Sequence, residues 1–142
     1  MKVLKYIVIG DPRTKKNHQM IAGKGRRCPT CGKFETEWVR QGKAYNVYSE
    51  TAAWQLRPRP REPISFPINI KYLFYMKTRR PVDMNNLIAA IDDILKENRI
   101  IEDDNCRIIR GYDGSRVYHD PNHPRTEIYI TRAAEDYEQL TL

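Results

Sequence analysis

Between Pro67 and Lys77 the chain alternates. Ile68, Ile70, Tyr72, Phe74 and Met76 fall on one side, while Asn69, Lys71 and Lys77 make the other more polar despite Leu73 and Tyr75. A period of two is that of a strand with one face on a core. Past Arg79, Arg80 and Pro81 the period changes: Met84, Leu87, Ile88, Ile91, Ile94 and Leu95 recur at three and four residues and predict an amphipathic helix ending near Asn98. Lys2 to Ile9, rich in Val, Ile and Tyr and closed by Gly10, Asp11 and Pro12, reads as a first strand. A short helix is expected over Ser49 to Leu56, with Ser49 as N-cap and Tyr48, Ala52 and Leu56 at four-residue spacing. Cys106 to Tyr112 and Arg116 to His119 flank Asp113, Gly114 and Ser115, an Asp-Gly hairpin signal, and Arg125 to Thr131 supplies a last strand. Arg13 to Ala44 is polar, basic and aperiodic, a loop excursion rather than core, and Arg57 to Pro63 is a Pro-broken linker. In the acidic end segment, Ala133 to Leu142, Tyr137 and Leu140 are candidates to dock. These elements predict one α+β domain: a mixed β-sheet covered on one side by two main helices.

Length agrees with a single domain over 1–142, since 142 residues at 40% hydrophobic content enclose one ordinary core. Met1 to Gly10 reads as a strand rather than a signal peptide, and no apolar run approaches membrane-spanning length. Three cysteines are too few and oddly numbered for a disulfide framework. The expectation is a cytoplasmic protein with reduced thiols and no membrane partner. Charge adds more. Of the net +7, residues 1–62 carry 14 Lys and Arg against 5 Asp and Glu, and residues 63–142 carry 11 against 13. A basic front and an acidic back suit a protein that grips phosphates with one region and places carboxylates, usually with metal, in another. A merely solvated basic face is the plain alternative.

The acids frame the second helix: Asp83 before it, Asp92 and Asp93 within it, and Glu102, Asp103 and Asp104 after it. At 100° per residue Asp93 shares a polar face with Asn86 and points away from the apolar stripe, while Asp92 projects to one flank. Carboxylates before the helix and on the strand returning beside it are placed to meet at one end. Phosphodiester hydrolysis uses such a cluster, because Mg²⁺ takes hard oxygen ligands, activates water and offsets charge on the pentacovalent phosphate. Taken singly, each acid also has a structural role: Asp83 as an N-cap, Asp92 and Asp93 as solvated helix residues, Asp103 and Asp104 as turn formers.

In order and spacing these residues resemble the RusA-type Holliday junction resolvases, crossover junction endodeoxyribonucleases of bacteria and their phages. That family carries an Asp, any residue, Asp, Asn pattern opening a helix, an Asp inside it and a paired Asp after it. Here the chain reads Asp83, Met84, Asn85, Asn86, then Asp93, then Asp103 and Asp104, with Ile108 and Ile109 on a strand. Gly10, Pro12, Lys15, Lys16 and Asn17, then Tyr45 and Tyr48 ahead of a helix, also look like the family, and Asp113 to Val117 with Pro124 to Ile130 resembles the hairpin of relatives from Gram-positive bacteria and phages. The likeness covers most of the chain outside roughly His18 to Gly42. It implies a RusA-like fold and a homodimer that acts on four-way DNA junctions by two paired nicks. Asp83 and Asp104 then hold Mg²⁺, with Asp103, Asn85 or Asp93 completing or orienting the shell. Two positions depart from the pattern: Asn85 stands where the second family Asp is expected, and Ala89 where the helix of the family carries a Lys. At Asn85 an amide replaces a charged ligand, for which Asp103 or Asp92 is a candidate substitute.

Cys28, Pro29, Thr30, Cys31 and Gly32 look like one knuckle of a zinc ribbon. The remaining ligands of a structural Zn²⁺ stay open between His18, Cys106, and the pair His119 and His123. A surface-loop role is the better reading of that pair, because Asp120 and Pro121 suit a turn. Free loop thiols are the competing reading of the cysteines. Lys15, Lys16, Lys24, Arg26 and Arg27 around the knuckle, and Arg79 and Arg80 before the acids, are candidate phosphate contacts. Trp38, Tyr45, Tyr48 and Trp54 are candidates for base stacking, with core packing the default for most. The function expected is a Mg²⁺-dependent, structure-selective endodeoxyribonuclease. Asn85 and Ala89 favour its rival, a non-catalytic DNA-binding protein that retains the fold and could hold zinc. A zinc-knuckle RNA-binding module fits the acidic second half less well.

Overall fold

The computed structural model describes residues 4–15, 20–22, 30, 38–40 and 42–133. Its centre is the strand that the alternation marks. This strand, β4 (Ile68–Met76), buries Ile68, Ile70, Tyr72 and Phe74 on one face. Beside it runs β7 (Arg125–Arg132), antiparallel, and beyond β7 runs β1 (Leu4–Ile9), also antiparallel. Thr126, Ile128 and Ile130 of β7 and Tyr6 and Val8 of β1 continue the buried face. Two short strands, β5 (Ile109–Gly111) and β6 (Arg116–His119), pair with the other edge of β4, both parallel to it. The result is a mixed five-stranded sheet in a single α+β domain, as the sequence leads one to expect.

Two helices cover the buried face. The second, α2 (Met84–Glu97), runs where the apolar stripe places it and buries Leu87, Ala90, Ile91, Ile94 and Leu95. It is the crossover between β4 and β5, the connection that parallel strands require. The first, α1, spans Lys43–Gln55 and begins well before the expected Ser49. Tyr45, Tyr48 and Ala52 form its buried stripe, so Tyr45 and Tyr48 lie inside the helix rather than ahead of it. Gly42, without a side-chain cap, holds the N-cap position expected of Ser49. The basic excursion carries a two-stranded antiparallel sheet, β2 (Met20–Ala22) with β3 (Trp38–Arg40). Tyr137 and Leu140 lie outside the described residues. Among the described residues no helix is long and apolar enough to cross a membrane.

The Asp-Gly signal does not make a hairpin. Strands β5 and β6 do not pair with each other; they lie end to end along β4, with partners at Ile68 and Asn69 and then from Leu73 onward. Asp113 and Gly114, the latter at φ 85°, step the chain away from the sheet and back to the same edge. Asn69 clamps this step, accepting from the Asp113 N–H at 2.9 Å, and the buried Ser115 hydroxyl accepts from the Tyr72 N–H at 3.0 Å. A side chain thus replaces the ladder bond that the step removes. The expected strand over Cys106 to Tyr112 shortens to β5 because the N–H groups of Ile108 and Ile109 turn back onto the Asn105 carbonyl.

The end of α2 decides where the acids go. The Ile100 N–H donates to the Leu95 carbonyl and the Arg99 N–H to that of Lys96, both at 3.0 Å, and Arg99 lies at φ 59°. This is the Schellman arrangement, whose left-handed residue is usually Gly. It turns Ile100 and Ile101 into the core, where the Ile64 N–H donates to Ile100 and the Glu102 N–H to Ile64, each at 2.9 Å. A side chain at a left-handed position costs roughly 1–2 kcal/mol, partly offset because Gly frees the unfolded chain. Arg99→Gly is therefore expected to raise stability by about 1 kcal/mol in urea unfolding. A loss would show that the Arg99 side chain contributes more than its backbone conformation costs.

Candidate active site

The polar face of α2 runs through Asn85, Ala89, Asp93 and Lys96, which at 100° per residue fall within an arc of roughly 80°. Asp83 caps the start of the helix, its carboxylate accepting from the Asn85 N–H at 2.9 Å. Ten residues on, about 15 Å along the axis, Asp93 meets the other acids. Lys96 is their hub: its Nζ lies 3.8 Å from Asp93, 3.9 Å from Asp103 and 3.7 Å from Asp104. Lys15, arriving from the segment after β1, donates to Asp93 Oδ2 at 2.7 Å and lies over the Tyr45 ring. Burial lowers the Lys15 pKa and the bond to Asp93 raises it, with a net upward shift.

Asp103 and Asp104 leave the core one residue after the Glu102 bond to Ile64. Asp103 accepts from the backbone N–H of Asp104 at 2.8 Å and from Asn105 Nδ2 at 2.9 Å. That backbone bond, more than any other contact, holds the Asp103 carboxyl below its ordinary pKa and keeps it ionised. A polar cleft of about 360 Å³, lined by Ser65, Glu102, Asp103, Asn105, Arg107 and Ile108, opens beside it.

Asp92 differs from its neighbour. It lies at the seam between the polar and apolar faces of α2 and is only 4% exposed. Tyr72 of β4 donates to its Oδ1 at 2.6 Å, and the Tyr112 hydroxyl donates to Oδ2. Burial raises its pKa to about 6, against the lowering by the Tyr112 and Tyr72 bonds, and the charges of Asp104 and Asp93 push it the same way as burial. Burial likewise drives both tyrosines well above the usual phenol range, so they remain donors. The flank position expected of Asp92 holds, but the solvated role does not. With both oxygens accepting from hydroxyls, it is also a poor substitute for the acid missing at Asn85.

The structure therefore brings Asp93, Asp103 and Asp104 around Lys96 and leaves Asp83 and Asn85 at the start of the helix. Among the described residues no three acids stand close enough to form a ready-made metal cluster. Lys15 is held by an acid, while Arg79 and Arg80 are exposed just ahead of Asp83. Lys16, His18, Lys24, Arg26, Arg27, Cys28 and Cys31 lie outside the described residues. Cys106, His119 and His123 are exposed, and the His123 N–H donates to Asp120 in the turn expected there. Tyr45 and Tyr48 are core, whereas Trp54 is 77% exposed. Lys96, Tyr72 and Tyr112 escape the sequence reading. Lys96 falls at 20° on the same helical arc as Asn85, a signal that marks it; nothing local marks the tyrosines as partners of Asp92.

Fold and site define a class: a basic, one-domain α+β protein in which a single helix gathers carboxylates and lysines at one end of its polar face. The chain matches the family model Endodeoxyribonuclease RusA over residues 10–131. It belongs to that family. The match spans both helices, β4 and the acids on either side of α2. No curated protein matches the chain.

Because the Asp92 carboxyl titrates near 6 rather than 3.8, it binds its proton more tightly in the folded protein than in the unfolded chain. Its contribution is full below about pH 3.8 and is lost as pH rises through 6. Asp92→Asn cannot ionise and keeps an acceptor for Tyr72, so it should gain on the wild type between pH 4 and 7 by about 2–3 kcal/mol. Denaturant unfolding at both pH values measures the difference, and a gap that does not change with pH would count against the elevated pKa.

Proposed function

We propose that the protein is a Mg²⁺-dependent, structure-selective endodeoxyribonuclease that resolves four-way DNA junctions by paired nicks and acts as a homodimer. The observation that carries this reading is the family match over 10–131 together with acids gathered on Lys96. A dimer suits the substrate, because a four-way junction has approximate two-fold symmetry and resolution needs two cuts.

The donor chemistry fits a hard divalent cation. Asp93, Asp103 and Asp104 offer carboxylate oxygens, and the Lys96 ammonium already lies among them, so the site accepts positive charge. Asp83 and Asp104 are assigned as the principal ligands, with Asp103, Asn85 and Asp93 completing or orienting the shell; because Asp83 stands about 15 Å along the helix axis from Asp93, the two ends of α2 share one ion only if they come from different subunits of the proposed dimer. When bound, the cation activates a water and offsets charge developing on the phosphate. The chain's own residues do the rest. Arg79 and Arg80 meet phosphates ahead of the helix, Lys15 fixes Asp93, and Lys96 limits repulsion among the acids. Lys16, Lys24, Arg26 and Arg27 are further phosphate contacts, and Zn²⁺ at Cys28 and Cys31 would have a structural role.

Asp83→Asn and Asp104→Asn are each expected to abolish nicking of a synthetic four-way junction in Mg²⁺ while leaving junction binding intact or tighter, because less negative charge faces the phosphates. Equal loss of binding and cleavage would point to a folding role, and nicking retained in Asp83→Asn would confine the centre to the acids around Lys96. Asn85 and Ala89 favour a second reading, a DNA-binding protein that has lost cleavage. Asn85→Asp separates the two. In an active nuclease it should lower the Mg²⁺ concentration for half-maximal nicking, whereas a wild type that binds junctions without nicking them at any Mg²⁺ concentration would establish the second reading.

A further inference from the structure

The sheet has one face under the helices and one open. Strand register arranges the open face in rows. Lys5, Tyr129 and Lys71 are direct neighbours across β1, β7 and β4; Ile7, Glu127, Leu73 and Arg116 form the next row; Ile9, Arg125, Tyr75 and Tyr118 form the third. Neighbours in a row are about 4.8 Å apart and rows about 7 Å apart. On this surface Lys71 thus lies within about 10 Å of both Lys5 and Arg116, which are themselves about 16 Å apart.

The acid on this face is already committed. Glu127 accepts from Arg125 Nε at 2.9 Å and from the Tyr129 hydroxyl at 2.6 Å, and Arg125 also reaches Asp120 at 3.1 Å. The close ion pairs of this face run through Arg125, to Glu127 and Asp120, and the Lys5 charge also acts on Glu127. The two lysines are held in place. Both lie over the Tyr129 ring, at 5.3 and 4.6 Å from its centre. Gly114 also closes on the Lys71 stem so tightly that a Cβ there would come within 2.8 Å of its Cδ. Lysines fixed on an aromatic ring, with Arg116 held beside them by the Ser115 carbonyl, are the chemistry that meets phosphates.

We propose that this open sheet face is a second contact surface for DNA, holding the phosphodiester backbone of a junction arm through Lys5, Lys71 and Arg116. It rests on the reading of the protein as a junction nuclease and adds a surface on the side of the sheet away from α2 and its acids. A second copy of the chain is the other possible occupant, and charge decides against it. A two-fold contact sets a patch against itself, bringing these cations against their own equivalents with one committed acid per copy to offset them.

The test is Lys5→Gln with Lys71→Gln, compared with wild type in binding a labelled four-way junction without divalent metal, across a range of salt. Two lost phosphate contacts should weaken binding and reduce the slope of log affinity against log salt by about 2. Equal thermal unfolding of the two proteins confirms that the fold is kept. Unchanged affinity and slope in the variant, alongside a wild type that binds and nicks junctions, overturn this surface and leave the nuclease reading standing. A wild type that binds no junction overturns both. Sedimentation in which the variant loses self-association with its salt slope unchanged overturns the proposal in favour of a copy-to-copy contact.

Discussion

A carboxylate between two tyrosines joins three parts of the chain that meet nowhere else in sequence. Asp92 comes from α2, Tyr72 from the central strand and Tyr112 from the residue after β5. The ring of Tyr72 stacks on that of Tyr112 at 6.0 Å between centres, so the junction is apolar in its body and polar at its tips. A buried carboxyl without these donors would be costly; with them it fixes the rotation of α2 about its own axis, because both hydroxyls approach from the sheet side. The polar arc of Asn85, Ala89, Asp93 and Lys96 then has one direction in which to face. The orientation of the candidate site therefore depends on a residue outside it.

Its position depends on the other end of the helix. Burial of Ile100 and Ile101 and the bonds to Ile64 anchor the chain directly after the Schellman turn. Asp103 and Asp104 follow within three residues of that anchor, too few to wander, and arrive beside Lys96. The apolar core thus sets the acids in place, and the polar contacts among them refine the arrangement.

Strong periodicity made β4, α2 and β7 legible, since each buries one continuous face. Helix α1 was legible only in its second half, because Tyr45 and Tyr48 looked as much like a loop approach as a buried stripe. The Asp-Gly signal marked a turn, where Gly114 has φ 85°, but the hairpin it predicts does not form. Whether flanking strands pair with each other or share the edge of β4 depends on a third strand forty residues away. The acid pattern identified the helix and the family, while the burial of Asp92 was hidden because its two donors lie twenty residues to either side. Lys96 was legible in principle by its place on the arc, yet a lysine near a helix end is usually a solvated partner of the helix dipole.

The split between a basic front and an acidic back takes a more local form in the folded chain. Lys15 from the front reaches Asp93 in the back, and Lys96, itself from the acidic half, lies among three carboxylates. These groups are partly exposed, and ion pairs of that kind contribute at most about 1 kcal/mol each. They cannot be what holds the domain together, a role that belongs to the isoleucines and tyrosines beneath. Their effect is on charge: two ammoniums against Asp93, Asp103 and Asp104 leave the cluster negative but restrained. A cluster fully neutralised by lysine would have no use for a further cation, and one with no lysine would repel both itself and an approaching phosphate. Under the proposed reading, partial compensation by Lys15 and Lys96 leaves the net negative charge that a divalent cation, and with it a phosphate, would meet.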